Sequence, residues 1–288
     1  MESSVMDERN KGFEEKIAFN RGFTKCTFPK DWESDQKKGL AKPPMGKGAA
    51  GDIIRLEGGF DDLLAIENYR DILDARKSER RYDKDRGLAA RQLAFMLWSA
   101  QGVKSTRGGH TSMRPVPSGG ARHPFELYFS VGGGGVEGVG VGVYHYLPFE
   151  NIGTKDVAIE FISPVENYEE SVSGMLSGQN WAVKAPVAFF ISCVAYRAEW
   201  RYSILAHRVL LIDLGHIGQN IMLSAAALGL GSCCLAAIDA GKCDSMLKLD
   251  GVEEYAVYAA TVGYAQQSLA GAYGAMLTPI QTLSAPEP

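Results

Sequence analysis

The chain has 288 residues, 45% of them hydrophobic and 22% charged, and a formal net charge of −4. It is long enough to bury one large core or two modest ones, and its composition is that of an ordinary globular protein. The acidic balance argues against nucleic acid as the main partner, because a dedicated binder carries a basic face that displaces counterions.

No window reads as the roughly 18 apolar residues of a membrane span. The start, MESSVMDERNKGFEEK, lacks the basic head and apolar core of a signal peptide, so a cytoplasmic protein is expected. The five cysteines (Cys26, Cys193, Cys233, Cys234, Cys243) form no C-x-x-C pair and read as reduced thiols. The histidines are scattered, so no metal centre is expected.

In chain order, residues 1–60 read as an extension that wraps the body with little regular structure, punctuated by KKGLAKPPMGKGAAG. Residues 61–288 form the main domain. From Asp61 to Tyr82 the apolar positions Leu63, Leu64, Ile66, Ile72 and Leu73 predict helix. The stretch GLAARQLAFMLWSAQG predicts a second helix, with Gly102 suited to its C-cap. FELYFSV and VGVGVYHYLP alternate as neighbouring strands, and APVAFFISCVAY reads as a buried one. The long run from Arg201 to Gly231 is apolar on several faces and predicts a central helix packed on all sides. SCCLAAI and YAVYAATVGY complete the strands. Strands and helices mix without regular βαβ alternation, so the fold class is α+β.

Several motifs carry chemistry or its imitation. Gly133, Gly135 and Gly138 spell G-x-G-x-x-G, but a strand follows where a dinucleotide site needs a helix, so a flexible hairpin tip is the better reading. In RKSERRY, Arg76 and Arg80 would share a helix face, and Ser78 adds a hydroxyl donor for an anion between them. On the residues alone a solvated basic face is favoured, with Asp74, Glu79 and Asp83 as partners. RPVPSGGAR is stiff on one side and bare on the other. Ser118 within it is no hydrolase nucleophile, because the strand follows the serine instead of preceding it. Cys233 and Cys234 read as buried structural thiols. His216 and Gln219, one turn apart, suit either satisfied polar groups or an intersubunit contact.

Taken together, ARKSERRY, RPVPSGGARHPFELY, GVYHYLP, WRYSILAHR, DLGHIGQNIMLSAAALGLGSCCLAAID and TVGY resemble the nitroreductase family of flavoproteins. The closer resemblance is to its SagB-type branch, which includes thiazole- and oxazole-forming dehydrogenases. It covers about residues 60 to 265. It implies a central, mostly antiparallel sheet flanked by helices, and an intertwined homodimer with FMN at the interface. Arg76, Lys77, Ser78 and Arg80 would then hold the FMN phosphate, ribityl chain and pyrimidine edge, which overturns the solvated-face reading. Pro117, Ser118, Gly119 and Gly120 match the loop that approaches the flavin from the partner subunit. Leu235, Ala236 and Ala237 match the strand facing the flavin N5 region, and Gln179 is a further flavin contact.

The implied activity passes hydride through flavin between a donor such as NAD(P)H and a small organic acceptor. Tyr202 is the expected proton donor or acceptor, with Arg201 as its orienter; both merely packing at the dimer edge is the bland alternative. Two rival functions accompany this one: an azoline-type peptide heterocycle dehydrogenase, and a flavin-binding protein without turnover. Two departures from the family pattern matter. Arg201 stands where azole-forming members carry a lysine, and arginine cannot act as a general base. After Arg208 only Lys242 and Lys248 are basic, so phosphate binding leans on the Arg76–Arg80 segment.

Overall fold

The computed structural model describes residues 32–132 and 134–266, together with Glu15, Lys16, Arg21, Gly22 and Lys25. Cys26 and Gly133 lie outside the described residues. The strands are β1 (Ile53–Leu56), the short pair β2 (Ser105–Arg107) and β3 (Thr111–Met113), β4 (Phe125–Val131), β5 (Gly142–Tyr146), β6 (Val157–Ser163), β7 (Val187–Cys193), β8 (Gly231–Leu235) and β9 (Tyr255–Gly263). The helices are α1 (Tyr69–Ala75), α2 (Ala90–Gln101), α3 (Tyr168–Met175), α4 (Tyr196–Tyr202), α5 (Ala206–Ala227) and α6 (Ala240–Leu247). Seven strands form one sheet in the order β1-β6-β5-β4-β7-β9-β8, and every pairing in it is antiparallel. The architecture is the expected α+β sheet flanked by helices.

Strand alternation decides what each face buries. Phe125, Leu127, Phe129 and Val131 of β4 join Phe189 and Ile191 of β7 in a core with Leu93, Met96 and Leu97 of α2 and Ile217 and Ile221 of α5. The intervening Tyr128, Ala188 and Phe190 face the opposite core, with Val172 and Met175 of α3 and Leu247 of α6. Helix α5 reaches the sheet closely because Gly218 has no side chain. A Cβ there would stand 3.0 Å from the Tyr258 ring and 3.3 Å from Cys234 Sγ.

Three findings differ from the sequence expectations. The helix expected from Asp61 to Tyr82 exists only as α1. Arg76 has ψ 118°, and beyond it Ser78 bridges Ser232 while Glu79 N–H donates to the Ser232 carbonyl at 2.8 Å. The open edge of β8 captures this segment, and an edge partner outweighs a modest helical propensity. The extension contributes a strand of its own, β1, at the opposite sheet edge. Finally, the helical run Tyr196–Ala227 is, by length and composition alone, apolar enough to cross a membrane; in this fold α5 lies against α2 and β8 and, contrary to the expected packing on all sides, leaves Leu211 and Ile212 exposed.

One end of the sheet is polar. His145 sits between Glu126 and Glu160, its Nε2 3.3 Å from Glu126 and its Nδ1 3.1 Å from Glu160, and all three are buried. Arg197 pairs with Glu126 at 2.6 Å. The extension closes over this cluster: Lys47 N–H donates to Glu126, Ala50 and Gly51 N–H donate to Glu160, and Lys47 Nζ pairs with Glu254 at 2.6 Å. Burial alone would raise Glu126, but Arg197 and His145 hold it at about 2. His145 chiefly, with the Gly51 and Ala50 N–H groups, holds Glu160 at about 2 against burial. For His145 burial opposes the charge, yet the two carboxylates outweigh it and raise the pKa.

The signs give a pH window. The depressed carboxylates contribute stability that is fully present above their ordinary value of 4.5 and is lost as pH falls through about 2. The raised His145 contributes stability that is complete below its ordinary 6.5 and is lost as pH rises through its folded value. Thermal unfolding is therefore expected to show maximal stability at about pH 5–6, falling on both sides. Glu126→Gln should lower the unfolding free energy in urea by about 3–5 kcal/mol, because it strips a buried arginine of its partner.

Candidate active site in two clusters

The predicted residues gather in two places. In the first, the captured segment Arg76–Arg80 lies along the edge of β8. With the helix gone, Arg76, Ser78 and Arg80 occupy alternate positions of an extended segment. Lys77 pairs with Glu79 at 3.2 Å. Glu79 also accepts from the Arg80 and Arg81 N–H groups at 3.0 and 2.9 Å, which fixes the turn. Arg76 and Lys77 line a pocket of about 190 Å³ with Met222 and Ala226 of α5, Gly231 and Ser232. The Arg80 guanidinium lies over Trp181, 5.7 Å from the ring centroid.

Past Leu235 the chain leaves the sheet, and Ala236 and Ala237 are exposed. Gln179 Nε2 donates to the Ala237 carbonyl at 3.2 Å, so this side chain is tied to the end of β8. Of the two vicinal thiols, Cys234 is pushed up to about 11, and Cys233 is raised as well, both by burial. Neither is a ready thiolate.

The second cluster is the glycine loop seated on α4 and α5. Ser118 Oγ donates to Asp213 at 2.6 Å and accepts from His123 N–H at 2.9 Å. Gly119 N–H donates to the same carboxylate at 3.0 Å. Asp213 is buried, and burial raises its pKa against those hydrogen bonds. A Cβ on Gly120, where φ is +58°, would stand 2.7 Å from both Arg201 Nε and Tyr202 Oη. The bare backbone of the loop is thus what lets Arg201 and Tyr202 approach it.

Ala121, His123 and Ser203 also take positive φ of 50°, 44° and 45°. Strain of this kind gathers where the surroundings dictate the backbone, often at functional sites. His123 is pushed down to about 3 by burial and neighbouring arginines, so it stays neutral.

Asp213, Arg122 and Lys42 were not foreseen in the sequence. For Asp213 a signal was there, a lone carboxylate in the apolar run VLLIDLG. Helix α5 separates the two clusters. Asp213 anchors one and Ala226 lines the other, about 20 Å apart along the axis at 1.5 Å per residue. Between them runs an exposed stripe at helical spacing: Arg208, Leu211, Ile212, Gly215, His216 and Gln219, with Leu211 70% exposed.

Residues 73–264 match the family model described as Nitroreductase family. The chain belongs to the nitroreductase family. A relative in Methanocaldococcus jannaschii, named "Putative nitroreductase MJ1384", is 30% identical over 74% of this chain and 98% of its own. The trifolitoxin-processing protein TfxB of Rhizobium leguminosarum bv. trifolii is 35% identical over 54% of this chain and 40% of its own length. Among solved structures, the Escherichia coli microcin synthetase McbBCD complex with truncated pro-MccB17 bound contains a chain with TM-score 0.56 and 20% identity, covering 91% of this chain and 97% of that one. TfxB and the Escherichia coli microcin B17-processing protein McbC, 28% identical over 41% of this chain and 42% of its own, put the chain in the SagB-type branch of the family.

Asp213→Asn leaves one acceptor oxygen for two donors. It is expected to cost about 1.5–3 kcal/mol in urea unfolding, the usual worth of a hydrogen bond to a charged group. Ser118→Ala should cost less than Asp213→Asn, because Gly119 keeps its acceptor.

Proposed function

We propose that this nitroreductase-family chain is an FMN-dependent oxidoreductase acting as a homodimer. The observation that carries this reading is the placement of the cationic Arg76–Arg80 segment and the glycine loop at opposite ends of α5, with an exposed stripe between them. A second copy running antiparallel along that stripe would bring the loop of one protomer to the cationic segment of the other. The donor set suits the cofactor: guanidiniums, an ammonium and a serine beside a small pocket match a phosphate-bearing tail. Arg76, Lys77, Ser78 and Arg80 would hold that tail. Leu235, Ala236, Ala237 and Gln179 would border the ring, with Pro117, Ser118, Gly119 and Gly120 covering it from the other copy.

Bound FMN would supply hydride exchange at N5 between a donor such as NAD(P)H and a small organic acceptor. Ser118 and Gly119 N–H are engaged by Asp213, so the loop's role is shape and close approach. Tyr202 would give or take a proton on the substrate, with the Arg201 guanidinium beside it. Of the described residues, 61–132 and 134–266 would form the cofactor domain and 32–60 the extension that wraps it; most of the rest of the expected extension, and the tail beyond 266, lie outside the described residues. The family relatives named for peptide-toxin processing favour a second reading, dehydrogenation of a peptide-derived heterocycle. Arg201 standing where that chemistry uses a lysine counts against this second reading, because arginine cannot serve as the base.

The purified protein is expected to show flavin absorption that bleaches anaerobically with NADH or NADPH. Bands that survive both donors but bleach with an azoline peptide would favour the second reading. A colourless protein that also fails to bind added FMN would overturn both. Arg76→Ala and Arg80→Ala should each weaken FMN binding by about 10- to 100-fold while leaving riboflavin, which has no phosphate, nearly unaffected. Leu211→Glu should shift the sedimenting species towards monomer and release flavin.

A further inference from the structure

Three cations converge beside Tyr202 with no carboxylate among them. Lys42 Nζ and Arg122 Nη2 donate to one shared acceptor, the carbonyl oxygen of His110, the arginine at 3.3 Å. Arg122 Nε donates to the Gly120 carbonyl at 3.0 Å. Arg201 packs against that same glycine, its Nε 2.7 Å from where a Cβ would stand. Two guanidiniums therefore meet at one bare residue, and the ammonium reaches them through one carbonyl.

Among the described residues, the other partners of these groups are neutral. Arg201 Nη1 donates to the Gln36 amide oxygen at 3.3 Å, and its guanidinium lies 5.7 Å from the Tyr202 ring centroid. The Arg122 guanidinium lies 5.4 Å from the Trp200 ring. Among the described residues, none of the three forms an ion pair with a carboxylate. Arg122 is only 7% exposed, so its charge is held where water screens it little. Burial and then Arg201 lower Arg122, and burial and then Arg122 lower Lys42, which is how crowded cations behave. Buried and half-buried charge of one sign calls for a counter-ion. Each group keeps N–H donors beyond those named.

The geometry points to an oxyanion subsite: Lys42, Arg122 and Arg201 receive the carboxylate or phosphate of a small acidic substrate whose reacting part faces Tyr202. Planar guanidiniums match either oxyanion in a two-point grip. Within one protomer this subsite lies at the Asp213 end of α5, away from that protomer's own Arg76–Arg80 segment. The inference rests on the reading that Tyr202 faces substrate. It names the substrate class, and it explains why an arginine suits this position.

Calorimetric titration of the full chain with benzoate, phenyl phosphate and benzamide tests it. One of the two anions is expected to bind at least about tenfold more tightly than the neutral, equally flat amide, and the tighter one identifies the oxyanion. That preference should shrink as salt rises from about 0.02 to 0.5 M. Lys42→Gln and Arg201→Gln should each weaken the anion at least about fivefold, whereas Arg76→Gln should change it less than about twofold. Equal binding of all three probes, or a loss that follows Arg76 instead of Lys42, overturns the subsite. The measurement needs no flavin. Selectivity in a protein that never takes up FMN would support the subsite while the flavoenzyme reading fell.

Discussion

The contact between α5 and the β8 edge organises everything described above. Gly218 allows the helix to lie against Cys234 and Tyr258, and this close approach fixes the height of the helix over the sheet. One end of α5 then carries Asp213 to the glycine loop; the other carries Met222 and Ala226 to the pocket beside Arg76. A side chain at position 218 would lift the helix and move both ends together. The same edge strand captures Ser78 and Glu79, so a single strand sets both the cationic segment and the helix that opposes it.

The extension is tied to the half of the molecule that carries Arg201 and Tyr202 by polar contacts more than by apolar burial. Gln36 N–H donates to the Trp200 carbonyl and Trp200 Nε1 to the Leu40 carbonyl, both at 2.9 Å, while Tyr196 Oη donates to Asp35 at 3.2 Å. Arg114 reaches the Met45 carbonyl at 3.1 Å, and Lys47 to Gly51 close over the Glu126–His145–Glu160 cluster. Helix α4 is seven residues long, too short to hold its own geometry in water. Its orientation, and with it that of Arg201 and Tyr202, therefore depends on what clamps it. A segment that looks peripheral in sequence is in this way part of the frame around the candidate pair.

How much of this was legible depends on whether local sequence or tertiary contact decides each feature. β4, β7 and β9 are readable because their residues are apolar enough to be buried on both faces. Val157–Ser163 carries a strand pattern of its own, yet it follows a glycine-punctuated stretch and went unassigned. α3 and α6 hold glycine and serine in eight residues each, and they form because the second core packs them and Asp239 caps one of them. Arg76 to Arg80 looks helical by charge spacing and becomes extended only because β8 offers an edge. With the helix gone, Arg76 lines the pocket beside α5 while Arg80 lies over Trp181. Lys42 and Arg122 meet at a backbone carbonyl, an acceptor that every residue carries, so no residue pattern announces them.

The arginine at position 201 gains its meaning from these unannounced neighbours. A lysine there could change its protonation with its surroundings, and beside two other cations it would be driven towards the neutral form. Arginine resists that pressure and keeps its charge. The cluster therefore acts as a fixed positive field next to Tyr202, suited to holding and orienting an anion. Proton exchange would then fall to Tyr202, because His123 is kept neutral by burial first and by Arg114, Arg122 and Arg197, and its ring is bonded to the Ser112 carbonyl. Chemistry at this site would accordingly divide: charge recognition by the three cations, and proton exchange by the Tyr202 hydroxyl.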